Sequence, residues 1–292
     1  MIDILNVVLP TFIVILIGYI FGKTAKVDMS AIVDIVIYVG LPALTFTSML
    51  DKKIVLLDAT KVWAAALMIT FGCGALAWVI FKIIRQKHSG LYIPIMLMNT
   101  VNIPFPIIYL AYGSQGLFAA TLFYIPNIIL MYSLGVYLAA GKFGKQSLKE
   151  VLKIPPIYAA LLGLIFNLTN VTVPELVIQP LSFLGIMVVP LVLLTLGVNL
   201  SKVRITSLPT TLMASFLRVG VGLLIGLLAV NLFHLTGIVR AVVILDSAMP
   251  AAVNAAIIAT KYKNEADLVS SVVFVTTIAS LFTIPFLLQI LG

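Results

Sequence analysis

Groups able to bind or move a charge gather at two places in an otherwise apolar chain. One stretch reads Met98-Asn99-Thr100-Val101-Asn102-Ile103-Pro104-Phe105-Pro106, the other Asp246-Ser247-Ala248-Met249-Pro250-Ala251-Ala252-Val253-Asn254. Proline lacks a backbone donor and collides with the preceding helical turn, so each stretch interrupts any helix that runs through it. The carbonyls freed there, and the side chains of Asn99, Thr100, Asn102, Ser247 and Asn254, need partners from protein, water or a ligand. Helix N-termini exposed at such breaks attract anions. The candidate binding residues are therefore Asn99, Thr100, Asn102, Pro104, Ser247, Pro250 and Asn254. A plainer reading competes, in which the prolines only kink helices and the asparagines pair between them.

Three ionisable residues fall inside apolar runs: Asp34, Arg218 and Asp246. Asp34 lies close enough to a run's end to reach water. Counted at helical rise, Arg218 and Asp246 sit about 17 and 16 Å from the same membrane face. A charge at the bilayer centre costs at least ~2.5 kcal/mol and is usually paired or functional. The matched depths predict an Arg218–Asp246 pair. It serves either as a static brace or as a coupling device, in which Asp246 takes a proton and Arg218 answers to substrate charge. His88 and His234 are expected to be solvated, and the lone Cys73 to be packing. No catalytic triad, phosphate-binding loop or metal-ligand cluster is present in the sequence, so neither an enzyme nor a cofactor or metal site is expected.

The elements that hold these residues follow from composition. Of 292 residues 62% are hydrophobic and 10% charged, with a mean hydropathy of +1.21. Soluble domains are about half apolar and a quarter charged, so lipid must be the solvent for most side chains. The net charge of +8 forms no basic stripe, which argues against nucleic acid. The first apolar stretch, with Asp3 and no basic leader, reads as a retained span rather than a signal peptide. Runs of about 20 apolar residues predict ten spans at 4–22, 29–50, 60–84, 90–112, 115–140, 154–170, 174–200, 207–235, 237–261 and 266–291. All are expected to be helical, because backbone in lipid must satisfy its own hydrogen bonds.

The connecting loops orient the spans. Thirteen of the Lys and Arg residues fall on one side, in the loops holding Lys23, Lys82, Lys153, Lys202 and Lys261 among others, and four on the other (Lys52, Lys53, Lys61, Arg240). Positive loops stay cytoplasmic, which places both termini outside. The connector at 141–153 reads as a solvated cytoplasmic loop, with an amphipathic surface helix as the alternative.

Comparison of the halves shows a repeat. Pro10, Gly18 and Phe21 recur as Pro155, Gly163 and Phe166 at an offset of 145; Pro42 recurs as Pro190 at 148, and Pro104 as Pro250 at 146. Five spans per half force opposite orientations. Inverted repeats of residues 1–140 and 154–292, with broken helices 4 and 9 crossing near the midplane, are the architecture of secondary carriers.

The motifs Gly40-Leu-Pro42-Ala-Leu-Thr45-Phe46, Asn99-Thr-x-Asn102-x-Pro104, Leu196-Gly197 and the Pro250 segment running to Tyr262 and Asp267-Leu268 together resemble the auxin efflux carrier family, which includes plant auxin carriers and bacterial malate and malonate permeases. The resemblance implies a dimer with a scaffold of helices 1, 2, 6 and 7. It also implies a moving transport domain of helices 3–5 and 8–10, with Thr45 facing the site from the scaffold. The expected function is elevator-like, secondary-active or facilitative transport of small organic anions, carboxylates or auxin-like weak acids, across the plasma (inner) membrane, with a proton or sodium as a coupling ion still open. A channel or membrane sensor on the same fold is the alternative. The long central loop of the plant carriers is reduced here to thirteen residues, so regulation through that loop does not carry over.

Overall fold

The structure, a computed structural model, describes residues 4–25, 28–50, 56–141 and 152–291. Lys26, Lys52, Lys53, Lys142, Lys145, Lys149 and the 142–151 part of the connector lie outside these residues. The described chain is helical, and its extended backbone pairs only at an isolated bridge.

In chain order the elements are α1 Ile4–Thr24, α2 Ser30–Leu50, α3 Leu56–Ile83, α4 Tyr92–Met96, α5 Pro104–Ala140, α6 Pro155–Leu168, α7 Glu175–Ser201, α8 Leu208–Leu232, α9 Gly237–Ser247, α10 Val253–Lys261 and α11 Ala266–Leu291. Seven of them are long and apolar enough to cross a membrane, and α6 is a shorter apolar helix. The molecule is a multi-pass α-helical membrane protein. Its outward apolar side chains agree with lipid as solvent: Leu176, Phe183 and Phe282 are 85%, 74% and 76% exposed, a state that water would penalise.

The predicted stretches 90–112 and 237–261 are not continuous helices. Each is two helices separated by non-helical backbone, at 97–103 and at 248–252. The longest helix, α5, also departs from a straight rod. Gly113 sits at φ 63°, ψ −154°, a conformation that essentially only glycine adopts. The chain folds back there: Phe105 and Tyr124 stack edge-to-face with ring centroids 5.8 Å apart, whereas a straight helix would separate them by about 28 Å.

Pro42 leaves a second mark. It cannot donate to the carbonyl of Tyr38, and α2 opens into a π turn at Val36–Gly40 directly before it. Leu41 N–H then reaches back to Val36 O. Wide turns of this kind absorb a proline without ending the helix.

Packing is closest within two groups of helices, and α1 also meets α5 and α11 while α2 meets α5. Helix α1 lies on α7 with backbones nearly touching: a Cβ on Gly18 would strike the Leu194 carbonyl, and one on Gly197 the Ile15 carbonyl. The second half of α2 packs on α6 and α7 through Gly163, the Phe46–Phe166 pair at 5.8 Å, and an Asn167 Nδ2–Met49 O hydrogen bond of 2.7 Å. The second group joins α3 to α8 and α5, α9 to α5 and α8, and α10 to α11. Cys73 is buried inside this group. His88, expected in solvent, is part-exposed and also tied to this group: Nδ1 lies 2.6 Å from Glu265 Oε1, while Glu265 Oε2 accepts the Gly90 N–H at 2.7 Å.

Candidate functional site

The two breaks meet. Asn99 N–H donates to Pro250 O at 2.8 Å and Ala252 N–H to Leu97 O at 3.1 Å, forming an antiparallel bridge between Met98 and Ala251. Local chemistry keeps each break open. Asn99 Oδ1 accepts the backbone N–H groups of Val101 (3.3 Å) and Asn102 (2.9 Å), a side-chain turn that replaces the helical ladder. Pro104, needing no donor partner, then begins α5, the position proline fits best. On the other side Thr276 Oγ1 accepts the Ala251 N–H at 3.1 Å. Backbone groups that the prolines would otherwise orphan are thus paired across the crossing, as a low-dielectric interior requires.

Arg218 holds the two helices that end at the crossing. Its guanidinium is fully buried and donates to Ile95 O (3.0 Å) and Ser247 O (2.7 Å). These are carbonyls in the last turns of α4 and α9, the negative ends of two helices. Gly222 makes room, since a Cβ there would overlap both the guanidinium and the Ser247 carbonyl. The expected Arg218–Asp246 ion pair is not formed. Both Asp246 carboxyl oxygens and Arg218 Nε are buried without a hydrogen-bond partner, while the two terminal guanidinium nitrogens are committed to carbonyls that the helix breaks left open. Matching depth carries no information on direction around the helix.

A cavity of about 50 Å³ lies beside the crossing, lined by Asn99, Thr100, Asn102, Asn254, Tyr124 and Asn127 among others. Asn99 Nδ2, Asn127 Oδ1 and Tyr124 Oη, on residues that line it, are buried with no partner, so donors and an acceptor gather around one small space. Helix α10 starts at its wall, with Val253 and Asn254 on the lining, adding the positive end of a helix. A cavity of about 80 Å³ continues from it toward α2 and α7, reaching Thr195 and Asn199.

The structure therefore brings Asn99, Thr100, Asn102 and Asn254 together. Pro104 and Pro250 shape the breaks without lining the cavity. Ser247 contributes its carbonyl to Arg218 and its hydroxyl to Ile244 O at 2.7 Å. Thr45 is fully buried, with Oγ1 unpartnered, and lines neither cavity. Asn127 and Tyr124 were missed by sequence reasoning. An amide directly after Pro126 in an apolar run carries the same polarity cost that singled out the two breaks, and that signal would have found Asn127.

Fold and site together define a class: a polytopic helical membrane protein whose polar centre lies where two interrupted helices cross. The comparisons with known proteins go further. The family described as membrane transport protein matches residues 3–288, and the chain belongs to it, the auxin efflux carrier family; it is a transporter rather than an enzyme. The chain is similar to an uncharacterized transporter of Methanocaldococcus jannaschii, at 28% identity over 298 residues and 96% of each chain. It is also similar to one of Methanothermobacter thermautotrophicus, at 30% identity over 292 residues and 95% of each.

Proposed function

We propose that this transporter carries small organic anions, carboxylates or auxin-like weak acids, by elevator-like alternating access, as a secondary-active or facilitative carrier. The observation that carries the reading is the cavity at the crossing. Its buried Asn99 Nδ2 and Tyr124 Oη lack partners, and the start of α10 supplies backbone donors. A carboxylate accepts several donors at once and is favoured at a helix N-terminus.

In this reading the chain crosses the bilayer ten times, as inverted halves 1–140 and 154–292 joined by 141–153. Each broken helix counts as one crossing, and the two limbs of α5 on either side of Gly113 belong to different crossings. Support comes from the antiparallel pairing of the breaks and from the near-constant offset between matched prolines. The scaffold is α1, α2, α6 and α7, which pack through close glycine contacts. The transport domain is the remainder, and Asn102 and Asn254 face Thr195 and Asn199 across the boundary. The carrier works as a homodimer in the plasma membrane with both termini outside, and Asp246 is the residue through which a proton would couple.

The test is counterflow of a labelled carboxylate panel in proteoliposomes. Saturable counterflow by at least one carboxylate is expected, reduced about tenfold or more by Asn102→Ala or Asn254→Ala, the loss of one hydrogen bond to a charged group. Unchanged uptake in both variants would sink the site assignment, and conductance without saturation would instead indicate a channel.

A further inference from the structure

A wide cavity of about 720 Å³ opens at the end of the molecule that carries the basic loops, lined by Lys202, Arg204, Thr206, Lys261, Asp267 and Ser270 among others. The three cations are exposed at its rim. They outnumber the carboxylates of Asp267, on the lining, and Asp28, within electrostatic reach of Lys202. The wall that carries Lys202 and Arg204 is pinned in place. Thr206 N–H donates to Ser271 Oγ at 2.9 Å, and the same hydroxyl is 3.2 Å from Arg204 O. Val253, the first residue of α10, lines this cavity and both smaller ones, and Asn199 and Ile257 are shared with the middle one. The three cavities therefore adjoin one another between the basic rim and the crossing.

We propose that the wide cavity is an electrostatic antechamber, an anion site in its own right that collects small carboxylates and loads the crossing from the cytoplasmic side. This rests on the carrier reading given above. A concave surface with an excess of one sign of charge focuses field lines and raises the arrival rate of counter-ions, by 10–10³ in strongly charged clefts. The antechamber thereby selects for charge before the crossing selects for shape. The side follows from the loops, since Lys202, Arg204 and Lys261 all belong to the strongly basic face of the chain.

A thiol reporter reads the local potential without requiring transport. Ser270→Cys places a cysteine on the antechamber lining, while the native Cys73 is buried. Protein in nanodiscs is treated with an anionic and a cationic methanethiosulfonate at low salt. The anionic-to-cationic rate ratio is expected to exceed that of free cysteine by about tenfold or more. It should shrink as salt shortens the screening length to about 3 Å near 1 M, and fall toward the free value on Lys202→Gln/Arg204→Gln/Lys261→Gln. Lys261→Gln alone gives a partial drop and covers the case in which the triple variant misfolds. Millimolar malonate is expected to slow the anionic reagent. A ratio equal to that of free cysteine overturns the proposal. In sided proteoliposomes the triple variant is expected to raise KM for malonate severalfold from the basic face and leave it unchanged from the other. An intact rate preference without flux of any carboxylate would refute the carrier reading and leave the anion site standing. Carboxylate flux with no rate preference would refute the antechamber alone.

Discussion

At the residue scale the least expected finding is that Arg218 is committed to the backbone. Its fork bridges Ile95 O and Ser247 O, so removing it leaves buried carbonyls at two helix ends without donors, each costing about 1–3 kcal/mol. Arg218→Met is expected to lower the thermal stability of the purified protein by several degrees. Arg218→Lys should fail to restore it, because a single ammonium cannot reproduce a planar bidentate fork. A variant with wild-type melting and only a raised KM would show instead that Arg218 reads substrate. Asn127 offers a second test. Its Nδ2 is bonded to Phe123 O at 2.8 Å while Oδ1 is buried unpaired, and the residue lines the cavity. Asn127→Asp keeps the size of the side chain but adds a negative charge to the proposed anion site. Carboxylate binding is expected to weaken at least tenfold, with Asn127→Leu showing a smaller loss.

At the element scale the turn at Gly113 decides whether α5 is a rod or a hairpin. A Cβ there meets nothing within 4 Å, so the constraint is backbone conformation alone. Gly113→Ala is expected to cost roughly 1–3 kcal/mol, read as a drop in melting temperature, and Gly113→Asn should cost as much, since asparagine favours the left-handed helical region and not ψ −154°. Equal stability of all three proteins would mean that the turn is not strained. Gly18 and Gly197 act differently. Both have ordinary helical backbones, and it is the neighbouring chain that leaves no room for a side chain. Gly197→Val should separate α1 from α7 and destabilise the protein irrespective of helix propensity.

At the scale of the whole molecule the question is whether the two packing groups move against each other. Asn199 on α7 and Ile257 on α10 line the same boundary cavity. A cysteine at each position, bridged by mercury, is expected to arrest counterflow reversibly. A bridge that forms without affecting flux would exclude relative motion of the groups there. The same boundary explains why the interior is polar only in patches. Elsewhere the hydroxyls of Thr121, Thr277 and Ser280 fold back onto carbonyls of their own helices, whereas Asn99 Nδ2, Tyr124 Oη and Asn127 Oδ1 on residues beside the crossing lack such partners.

What the sequence determined by itself was whatever depends on solvent and local stereochemistry. Lipid as solvent followed from composition, the helices from the need to satisfy backbone in lipid, and both interruptions from Pro104 and Pro250 with the amides around them. These are properties of a residue and its near neighbours, so one dimension suffices to read them. The tertiary structure alone decided which groups face each other. It turned Arg218 away from Asp246 and onto two helix ends, drew His88 to Glu265, and brought Tyr124 and Asn127 beside Asn99. Depth along a helix can be counted from the sequence. Azimuth and partner cannot, because they are fixed by how the helices rotate to bury glycine faces and to pair the carbonyls left open at the breaks.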